Sequence, residues 1–308
     1  MISALFEERL GNSLNSKPDV SVVIVTYNSQ DEIGLCLDSL EPYLSNSLCE
    51  TVIIDNASQD GTASVINSWG AAEITFINNS ENVGFTKAVN QGIAKSSGEY
   101  IFILNPDTQL TKNSIDGLVR RFNSNSEIAA VAPQLRFPDG RIQYSCRRFP
   151  TRGNVIVEML GLSGRSKKNG WKMADFDHTF ERDIDQPAGA ALMVRRSILI
   201  ELGGLDERFP MFFSDVDLCK RIRDAGGRII FCPEGIITHI GGSSIFKRRS
   251  AMIATSHLSL IRYFFKHNRR GVDLMPNVVM AILLILGIPL RLFAKFFSTQ
   301  TEPEGKIL

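Results

Sequence analysis

The stretch that most constrains the fold is Tyr100-Ile-Phe-Ile-Leu104, which is followed at once by Asn105-Pro-Asp-Thr108. The apolar run predicts a buried strand, and the break places a carboxylate at its carboxyl end. Open α/β sheets bind ligands in the crevice outside these strand ends. Two further acidic clusters have a similar setting, Val52-Ile-Ile-Asp55 and Met211-Phe-Phe-Ser-Asp215-Val-Asp217. Three such clusters in one chain indicate a site for a cation and an anionic ligand.

Strands and helices alternate through the first half of the chain. The sequence predicts strands at 20–26, 51–55, 74–77 and 100–104, and helices at 30–40, 62–69 and 85–95. This alternation is typical of βαβ units, so the predicted fold class is α/β, with a mostly parallel sheet flanked by helices. The pattern loosens between about 126 and 185, where Pro138-Asp-Gly140 predicts a short hairpin and 164–170 a mobile insertion. Regular structure is expected again at 188–194, and as a helix at 214–225.

Composition and charge narrow the class of protein. The 308 residues carry a formal net charge of +1, but the segment from Lys247 onward has ten Lys or Arg against three Asp or Glu, which gives +7 there and −6 elsewhere. Basic residues among aliphatic ones favour an anionic membrane surface over nucleic acid. Five scattered cysteines without a C-x-x-C pair predict packing thiols in a reducing compartment. No signal peptide is predicted, so we expect a location on the cytosolic side.

The last 60 residues are predicted to be helical. Leu258, Ile261, Phe264 and Phe265 form an apolar stripe beside Arg262, Lys266, Arg269 and Arg270. A second apolar run extends from Val278 to Phe297, and its uninterrupted part is shorter than the roughly 20 residues that span a bilayer. Arg291 and Lys295 within it favour an interfacial or re-entrant membrane helix. The alternatives are a buried helix that completes the domain and a dimer contact.

Several polar residues stand where the chain leaves a predicted strand. Thr26-Tyr27-Asn28 does not open into G-x-G-x-x-G, which disfavours a dinucleotide site and suits either a base and ribose or simple turn chemistry. Asp55 could accept hydrogen bonds from a nucleoside, whereas Asp60 suits the N-cap of the next helix. Gly84 opens a helix whose N-terminus, together with Lys87, suits a diphosphate, although a loop glycine and a solvated lysine are common.

Three residues could carry the chemistry. Asp107 is a hard oxygen ligand suited to Mg²⁺ or Mn²⁺ on a diphosphate, and the competing interpretation is an Asx-type turn. In Ser214-Asp215-Val-Asp217, helix capping explains one acid and the other could be a general base. His239 precedes a glycine pair at 241–242 and is either structural or a ligand beneath a loop that could close over substrate.

These motifs, in this order, resemble the family 2 glycosyltransferases with the GT-A fold, especially the rhamnosyltransferase-like branch of bacterial surface-polysaccharide assembly. The resemblance covers roughly residues 20–265. Its motifs are Val22-Val-Ile-Val-Thr-Tyr-Asn28, Asp55-Asn-Ala-Ser-Gln-Asp-Gly61, Asn82-Val-Gly-Phe85, Asn105-Pro-Asp107, Gly203-Gly-Leu-Asp206, Asp215-Val-Asp-Leu-Cys219 and His239-Ile-Gly-Gly-Ser243.

The resemblance implies an inverting transfer from a nucleotide-diphospho-sugar, with dTDP-L-rhamnose the first choice, to a glycan or polyprenyl-linked acceptor at the inner face of the cell membrane. It implies Asp215 as the base and Asp107 and His239 as contacts to Mg²⁺ or Mn²⁺. The implied nucleotide-binding residues are Thr26, Tyr27, Asn28, Asp55, Asn82, Gly84 and Lys87, and the implied sugar contacts are Asp206, Asp217 and Gly189.

The expected domain organisation follows the same resemblance. A lead-in at 1–19 precedes a GT-A catalytic domain at 20–246, whose nucleotide-binding half is 20–125 and whose acceptor-binding half is 126–246. The segment 247–308 is the basic, helical tail. Two positions depart from the family pattern, since Asn105 replaces the usual Asp of the metal motif and Ser214 the usual Glu before the base. Open alternatives are a UDP-hexose or N-acetylhexosamine transferase and a non-catalytic scaffold that binds nucleotide-sugar.

Overall fold

A mixed sheet forms the centre of the molecule. The computed structural model describes residues 18–45, 49–70, 74–160, 171, 173, 176–241 and 249–297. The strands are β1 (Val20–Thr26), β2 (Cys49–Asp55), β3 (Ile74–Asn78), β4 (Tyr100–Leu104), β5 (Thr108–Leu110), β6 (Ile128–Arg136), β7 (Ile142–Gln143), β8 (Cys146–Arg147), β9 (Arg182–Asp183), β10 (Gln186–Pro187), β11 (Ala191–Arg195) and β12 (Arg228–His239). The helices are α1 (Gln30–Leu44), α2 (Thr62–Trp69), α3 (Phe85–Lys95), α4 (Ser114–Ser124), α5 (Arg152–Met159), α6 (Arg196–Glu201), α7 (Ser214–Asp224), α8 (Arg249–His267) and α9 (Leu274–Phe297).

The order of the main strands is β3-β2-β1-β4-β11-β6-β12-β5. The first four are parallel, so β1, β2 and β4 end at one side of the sheet, which we call the carboxyl edge. β11 is antiparallel to β4, with Ala191 opposite Leu104. The loop that leads into β11 therefore lies beside the residues that follow β4. β5 and the end of β12 pair in the same region, with Thr108 opposite His239.

Helices cover both faces of the sheet. β1 and β4 are buried along their whole length, as expected for strands packed on both faces. On one face, a core forms from α1 and α4, with Leu37 and Phe122 against Phe102. On the other face, α3 and α7 pack on alternate residues of the same strands, and Val89 and Ile222 belong to that core. The result is an α/β/α arrangement, as predicted.

The parallel half agrees closely with the sequence prediction, and the next segment does not. β1, β4, α2 and α3 have the predicted bounds, whereas α1 continues past its predicted end to Leu44. The largest difference is β6, a nine-residue strand in a region predicted to be mostly loops. Pro133 is tolerated there because its ladder with β12 is irregular just after the Pro133–Cys232 pair, and prolines within sheets concentrate at such bulges.

The 138–140 turn was predicted correctly. β6 and β7 form a hairpin around it, and Gly140 at its tip has a φ of +85°. All five cysteines are buried and free, which confirms them as packing thiols. The predicted insertion at 164–170 and the residues from 242 to 248 lie outside the described part of the chain, so the proposed loop closure stays a prediction.

The C-terminal helices share a third core with α7. Phe213, just before α7, and Val216 of α7 pack with Tyr263 and Phe264 of α8 and with Leu284 of α9. The predicted apolar stripe of α8 was therefore partly wrong, because the helix buries the side that carries Leu260, Tyr263 and Phe264 and exposes Leu258 and Phe265.

The outer side of α9 is apolar and exposed. Among the described residues, Gly271–Pro289 is long and apolar enough, by length and composition, to cross a membrane. Its exposed large hydrophobic side chains, among the described residues, are Leu274, Met275, Val278, Val279, Ile282, Leu283, Ile285 and Leu286. At 100° per residue these side chains cover about half of the helix circumference. Packing against the domain therefore explains the apolar side chains on the inner side of α9 but not those on its outer side.

Candidate active site

The ends of β1 and β2 form a tightly bonded corner. Thr26 pairs with Asp55 across the strands, and its hydroxyl donates to Asp55 Oδ1 at 2.7 Å. The Ser58 backbone N–H donates to Asp55 Oδ2 at 2.9 Å, and the Ser58 hydroxyl also donates to Oδ1. Thr26 and Asp55 are both buried. The carboxylate thus holds the loop 55–58 in place, and a direct contact from Asp55 to a nucleoside stays a prediction.

Asn28, which follows β1, stabilises the same corner. Its backbone is in the left-handed region, with a φ of 53°, and its side-chain oxygen accepts a hydrogen bond from the Gln59 N–H at 2.8 Å. Tyr27 beside it is partly exposed. Asp60 was predicted as the N-cap of α2, but the N-cap is Gly61, and Asp60, one position earlier, instead accepts a hydrogen bond from the Thr62 N–H. The turn between β1 and α1 and the turn after β2 are therefore built as one unit.

The start of α3 meets the loop before α7. Asn82 accepts a hydrogen bond from the N–H of Gly84, whose φ of +89° few other residues adopt. The Thr86 N–H donates to the Pro210 carbonyl at 3.3 Å, and the Thr86 hydroxyl donates to the Phe209 carbonyl. One N-terminal donor of the helix is thus already occupied within the protein, while Lys87 is exposed.

Asp107 and His239 meet at the carboxyl edge. His239 Nε2 lies 3.5 Å from Asp107 Oδ1, and both side chains are largely buried. The pairing of β5 with β12 produces this contact, and the Ile240 N–H donates to the Asp107 carbonyl at 3.0 Å. On the far side of the ring, His239 Nδ1 is 2.8 Å from the Gln143 side-chain oxygen. That oxygen can only accept, so Nδ1 donates this hydrogen bond and Nε2 is the ring nitrogen that faces Asp107.

These two side chains fit a divalent cation. Asp107 Oδ1 is buried without a hydrogen-bond partner in the described structure, and a buried carboxylate oxygen in that state is expected to have a ligand. In the described residues, no group of three or more His, Cys, Asp or Glu side chains could hold a metal. Asn105 supplies only a neutral amide at the position where the family usually has an acid. A cation here would therefore need further oxygen ligands from a bound diphosphate or water.

Asp215 reaches the same edge through the loop before β11. The Asn105 N–H donates to the Ala190 carbonyl at 2.9 Å, which joins the residues after β4 to that loop. Gly189 lies against the base candidate, since a Cβ added to it would be only 2.6 Å from Asp215 Oδ2. The structure thus brings Gly189 and Asp215 into contact and places both beside the Asn105–Asp107 turn.

The environment of Asp215 favours a stronger base. Burial raises the pKa of its carboxyl group above the ordinary 3.8, while the Val216 N–H and the positive charge of Arg147 oppose the rise. The Val216 N–H donates to Oδ1 at 2.9 Å. A raised pKa brings a carboxylate closer to the pH at which a general base works best.

Asp206 and Asp217 point toward α8 and not toward this edge. Asp217 is fully buried and pairs with Lys266 at 2.5 Å, with Arg221 at 2.8 Å and with His267 at 2.8 Å. Asp206 pairs with Arg208 and Lys266, each at 2.6 Å. The predicted sugar contact of Asp217 conflicts with its burial, because a carboxylate enclosed by three basic groups has no surface left for a sugar. Its role is to hold α8 against α7.

Two residues of this site were absent from the sequence prediction. Gln143 orients His239, and the positive charge of Arg147 opposes the rise in the pKa of the Asp215 carboxyl group. Both lie in the segment where the sequence pattern loosened, on strands of only two residues. Neither has a sequence signal, because each acquires its role only when β7 and β8 are placed beside β12 and α7.

Comparison with known proteins agrees with this arrangement. The family model Glycosyl transferase family 2 matches residues 21–203. The chain is 29% identical over 267 residues, 81% of its length and 84% of the relative's, to N-acetylglucosaminyl-diphospho-decaprenol L-rhamnosyltransferase of Mycobacterium tuberculosis. It is 25% identical over 285 residues, 84% of its length and 62% of the relative's, to poly-beta-1,6-N-acetyl-D-glucosamine synthase of Staphylococcus aureus.

A solved structure gives the same result for the fold. Mannosyltransferase PcManGT from Pyrobaculum calidifontis, in complex with GDP-Man and Mn²⁺, superposes with a TM-score of 0.57 at 19% identity, over 97% of this chain and 84% of that one. The family model covers more than half of the chain, which therefore belongs to glycosyltransferase family 2. The predicted GT-A fold, the family and the prediction of an enzyme are confirmed.

Gly189→Ala should impair catalysis without unfolding the protein. The added methyl group would displace the Asp215 carboxylate, and misplacement of a catalytic group by about 1 Å can lower a rate about a hundredfold. We expect a fall in kcat of that order in a sugar-transfer assay, with an unchanged melting temperature. Gly153→Ala is the matched control, since no atom lies within 4 Å of its added Cβ. Equal rates for the two variants would contradict the placement of Gly189 against the base.

Proposed function

We propose that this protein is an inverting glycosyltransferase that moves a sugar from a nucleotide-diphospho-sugar to a lipid-linked glycan acceptor. The observation that carries the proposal is the convergence of Asp107, His239 and Asp215 at one edge of the sheet. This reaction needs a cation site for the diphosphate and a general base. Asp107 and His239 suit the cation site, and Asp215, whose pKa is raised, suits the base.

The chain's own residues divide the reaction between them. Asp215 takes the proton from the acceptor hydroxyl, whose oxygen attacks the anomeric carbon as the bond to the nucleoside diphosphate breaks. Attack from the face opposite the leaving group inverts the anomeric centre. Gly189 leaves room for the carboxylate, and Arg147 keeps it ionised at lower pH than burial alone would allow. The transition state carries oxocarbenium character at the sugar carbon.

Asp107 and His239 would hold Mg²⁺ or Mn²⁺, and Gln143 would keep the imidazole turned toward it. A divalent cation bound there stabilises, as a Lewis acid, the charge that develops on the departing diphosphate. The nucleoside would lie over the corner formed by Thr26, Tyr27, Asn28 and Asp55. The diphosphate would run toward the start of α3, where Asn82, Gly84 and Lys87 are found, because helix N-termini favour anions.

The donor that we favour is dTDP-L-rhamnose. The support is the relative from Mycobacterium tuberculosis, which is named as an L-rhamnosyltransferase and aligns over most of both chains. The same name specifies an N-acetylglucosaminyl-diphospho-decaprenol acceptor, and we propose an acceptor of that lipid-linked class. A UDP-N-acetylhexosamine donor is the second candidate, supported by the relative that is named as an N-acetyl-D-glucosamine polymer synthase. The rise in melting temperature that each nucleotide-sugar produces would distinguish the two candidate donors, since the ligand that binds the native state stabilises it.

We also propose that α9 lies in the inner leaflet of the cell membrane. Its outer half is apolar, while its inner half is tied to the domain by Asn277. The Asn277 side chain donates to the Phe264 and Asn268 carbonyls and accepts a hydrogen bond from Arg152 at 2.8 Å. A helix held on one side by protein is suited to insert into one leaflet and not to be surrounded by lipid. This location would place the active site beside a lipid-linked acceptor.

Asp215→Asn and Asp107→Ala should each abolish most turnover. Loss of the base is expected to lower kcat about 10²–10⁴-fold. Loss of the carboxylate at the cation site should lower it at least about a hundredfold and weaken the dependence on Mn²⁺. The measurement is transfer from dTDP-L-rhamnose to a prenyl-diphosphate-linked acceptor. Asp224→Asn, at the exposed end of the same helix as Asp215, is the control and should retain activity. Wild-type rates in the first two variants would refute the mechanism.

The pH dependence should report the pKa of Asp215. Only the ionised carboxylate is a base, so kcat/KM should fall as the pH drops through a value above 3.8. Arg147→Ala removes a positive charge that favours the ionised form, so the acid limb should move to higher pH. Arg120→Ala, at an exposed position of α4, is the control and should leave the pH dependence of kcat/KM unchanged. A shift to lower pH in Arg147→Ala would contradict the assignment.

Membrane binding should depend on the outer face of α9. Ile282 and Leu286 are 52% and 59% exposed and lie one turn apart. Each buried aliphatic side chain contributes about 1.5–3 kcal/mol, so Glu at both positions should weaken binding to lipid vesicles at least about a hundredfold in a flotation assay. Ile200 on α6 is similarly exposed, and Ile200→Glu should bind as the wild type does. Unchanged flotation of the double variant would exclude α9 as the membrane contact.

A further inference from the structure

A basic cleft opens on the outer side of α8, next to the loop that precedes α7. Its volume is about 510 Å³, and it separates that helix from the loop at 207–210. Its lining consists of Glu207, Arg208, Phe209 and Pro210 from the loop, Arg262, Phe265 and Lys266 from the helix, and Arg269 two residues beyond the helix end. None of these residues has a part in the reaction described above.

The four cations of the cleft are of two kinds. Arg208 and Lys266 are neutralised by Asp206, and Lys266 also by Asp217. Arg262 and Arg269 are exposed, and neither pairs with a carboxylate in the part of the chain that the structure describes. Arg262 donates one N–H to the Arg208 carbonyl at 2.8 Å, which leaves most of its guanidinium available.

The two available arginines line the same cleft and could act together on a diphosphate. Arg262 lies in the last turns of α8, and Arg269 lies two residues beyond the end of that helix. A guanidinium group offers parallel N–H donors that match phosphate oxygens, and arginine is the residue most often used for such recognition.

The surroundings indicate that the ligand also has an apolar part. Phe265 lies between the two arginines and is 39% exposed, and Leu258 continues the same side of α8 at 47% exposure. α8 packs on α9, whose outer side is apolar. An anionic head with a hydrocarbon chain therefore suits this surface better than a free inorganic anion.

The cleft adjoins the catalytic helix. The Phe209 and Pro210 carbonyls, which form its wall, hold Thr86 at the start of α3. Lys266, on its other wall, pairs with Asp217, two residues beyond the base Asp215. A ligand bound here is held beside the elements that carry the base and face the donor diphosphate.

We propose that this cleft binds the diphosphate of the prenyl-linked acceptor, with Arg262 and Arg269 on the phosphates and Phe265 against the first isoprene units. The inference rests on the proposed function for the identity of the acceptor. It adds a lipid-phosphate site at the C-terminal end of α8, separate from the cation site at Asp107. The acceptor would thus be recognised by its carrier lipid as well as by its sugar.

Direct binding of farnesyl diphosphate tests the proposal. The full chain, in neutral detergent micelles with EDTA, is titrated by calorimetry without any sugar donor, so the result does not depend on turnover. We expect Arg262→Ala/Arg269→Ala to weaken binding at least about tenfold, since two charge-assisted contacts are lost. Arg269→Ala, which breaks no contact in the described structure, should weaken it severalfold. Lys95→Ala, an exposed cation at the end of α3, should bind as the wild type does, and farnesol should bind far more weakly.

Each of the following outcomes would contradict the proposed site. Equal affinity of the wild type and the double variant, or no binding by the wild type, would refute it. Loss of binding in Asp107→Ala but not in the double variant would place the probe in the donor site. If the double variant lost affinity for phosphatidylglycerol vesicles but not for farnesyl diphosphate, the arginines would serve a phospholipid headgroup instead. If the proposed sugar transfer is wrong, the wild type and Asp215→Asn will have equal rates in the transfer assay. That outcome does not change the affinity for farnesyl diphosphate, which is measured without a sugar donor.

Discussion

The antiparallel pairing of β11 with β4 is the constraint on which the site depends. It places Ala191 opposite Leu104 and lets the Asn105 N–H bond to the Ala190 carbonyl. The loop before β11 is thereby fixed next to the residues that follow β4, and Gly189 in that loop leaves space for the Asp215 carboxylate. Without this pairing, the acids at 107 and 215 would belong to separate parts of the chain, because more than a hundred residues lie between them.

A second constraint is the buried charge network between α7 and α8. Removing a carboxylate from water is unfavourable, and Asp217 is tolerated only because Lys266, Arg221 and His267 surround it. Burial alone would raise the pKa of Asp217, but the hydrogen bonds from His267 and Lys266 and the charge of Arg221 lower it overall. The helix that carries the proposed base is in this way fixed to α8, which in turn packs on α9. The orientation of α8 follows from these charges and from Tyr263 and Phe264, which explains why a stripe chosen by hydrophobicity alone was partly wrong.

The local signals in the sequence were strongest where each strand is buried on both faces. β1 and β4 are continuous apolar runs, and α2 and α3 follow turns rich in Asn, Asp and Gly, so their bounds could be read directly. β6 escaped prediction because its small residues and Pro133 resemble a loop. It is a strand only because β11 and β12 flank it and an irregularity in the ladder accommodates the proline.

The sequence by itself determined the parallel half of the sheet, the family motifs and the positions of Asp107, Asp215 and His239. These features are local, since each depends on a short run of residues and on the chemistry of one side chain. Only the tertiary structure decided which acids work together. It joined Asp107 to His239 through β5 and β12, enlisted Gln143 to orient the imidazole, and assigned Asp217 to holding α8. The physical reason is that burial and hydrogen bonding depend on neighbours distant in the chain, and a single sequence does not specify which strands or helices those neighbours belong to.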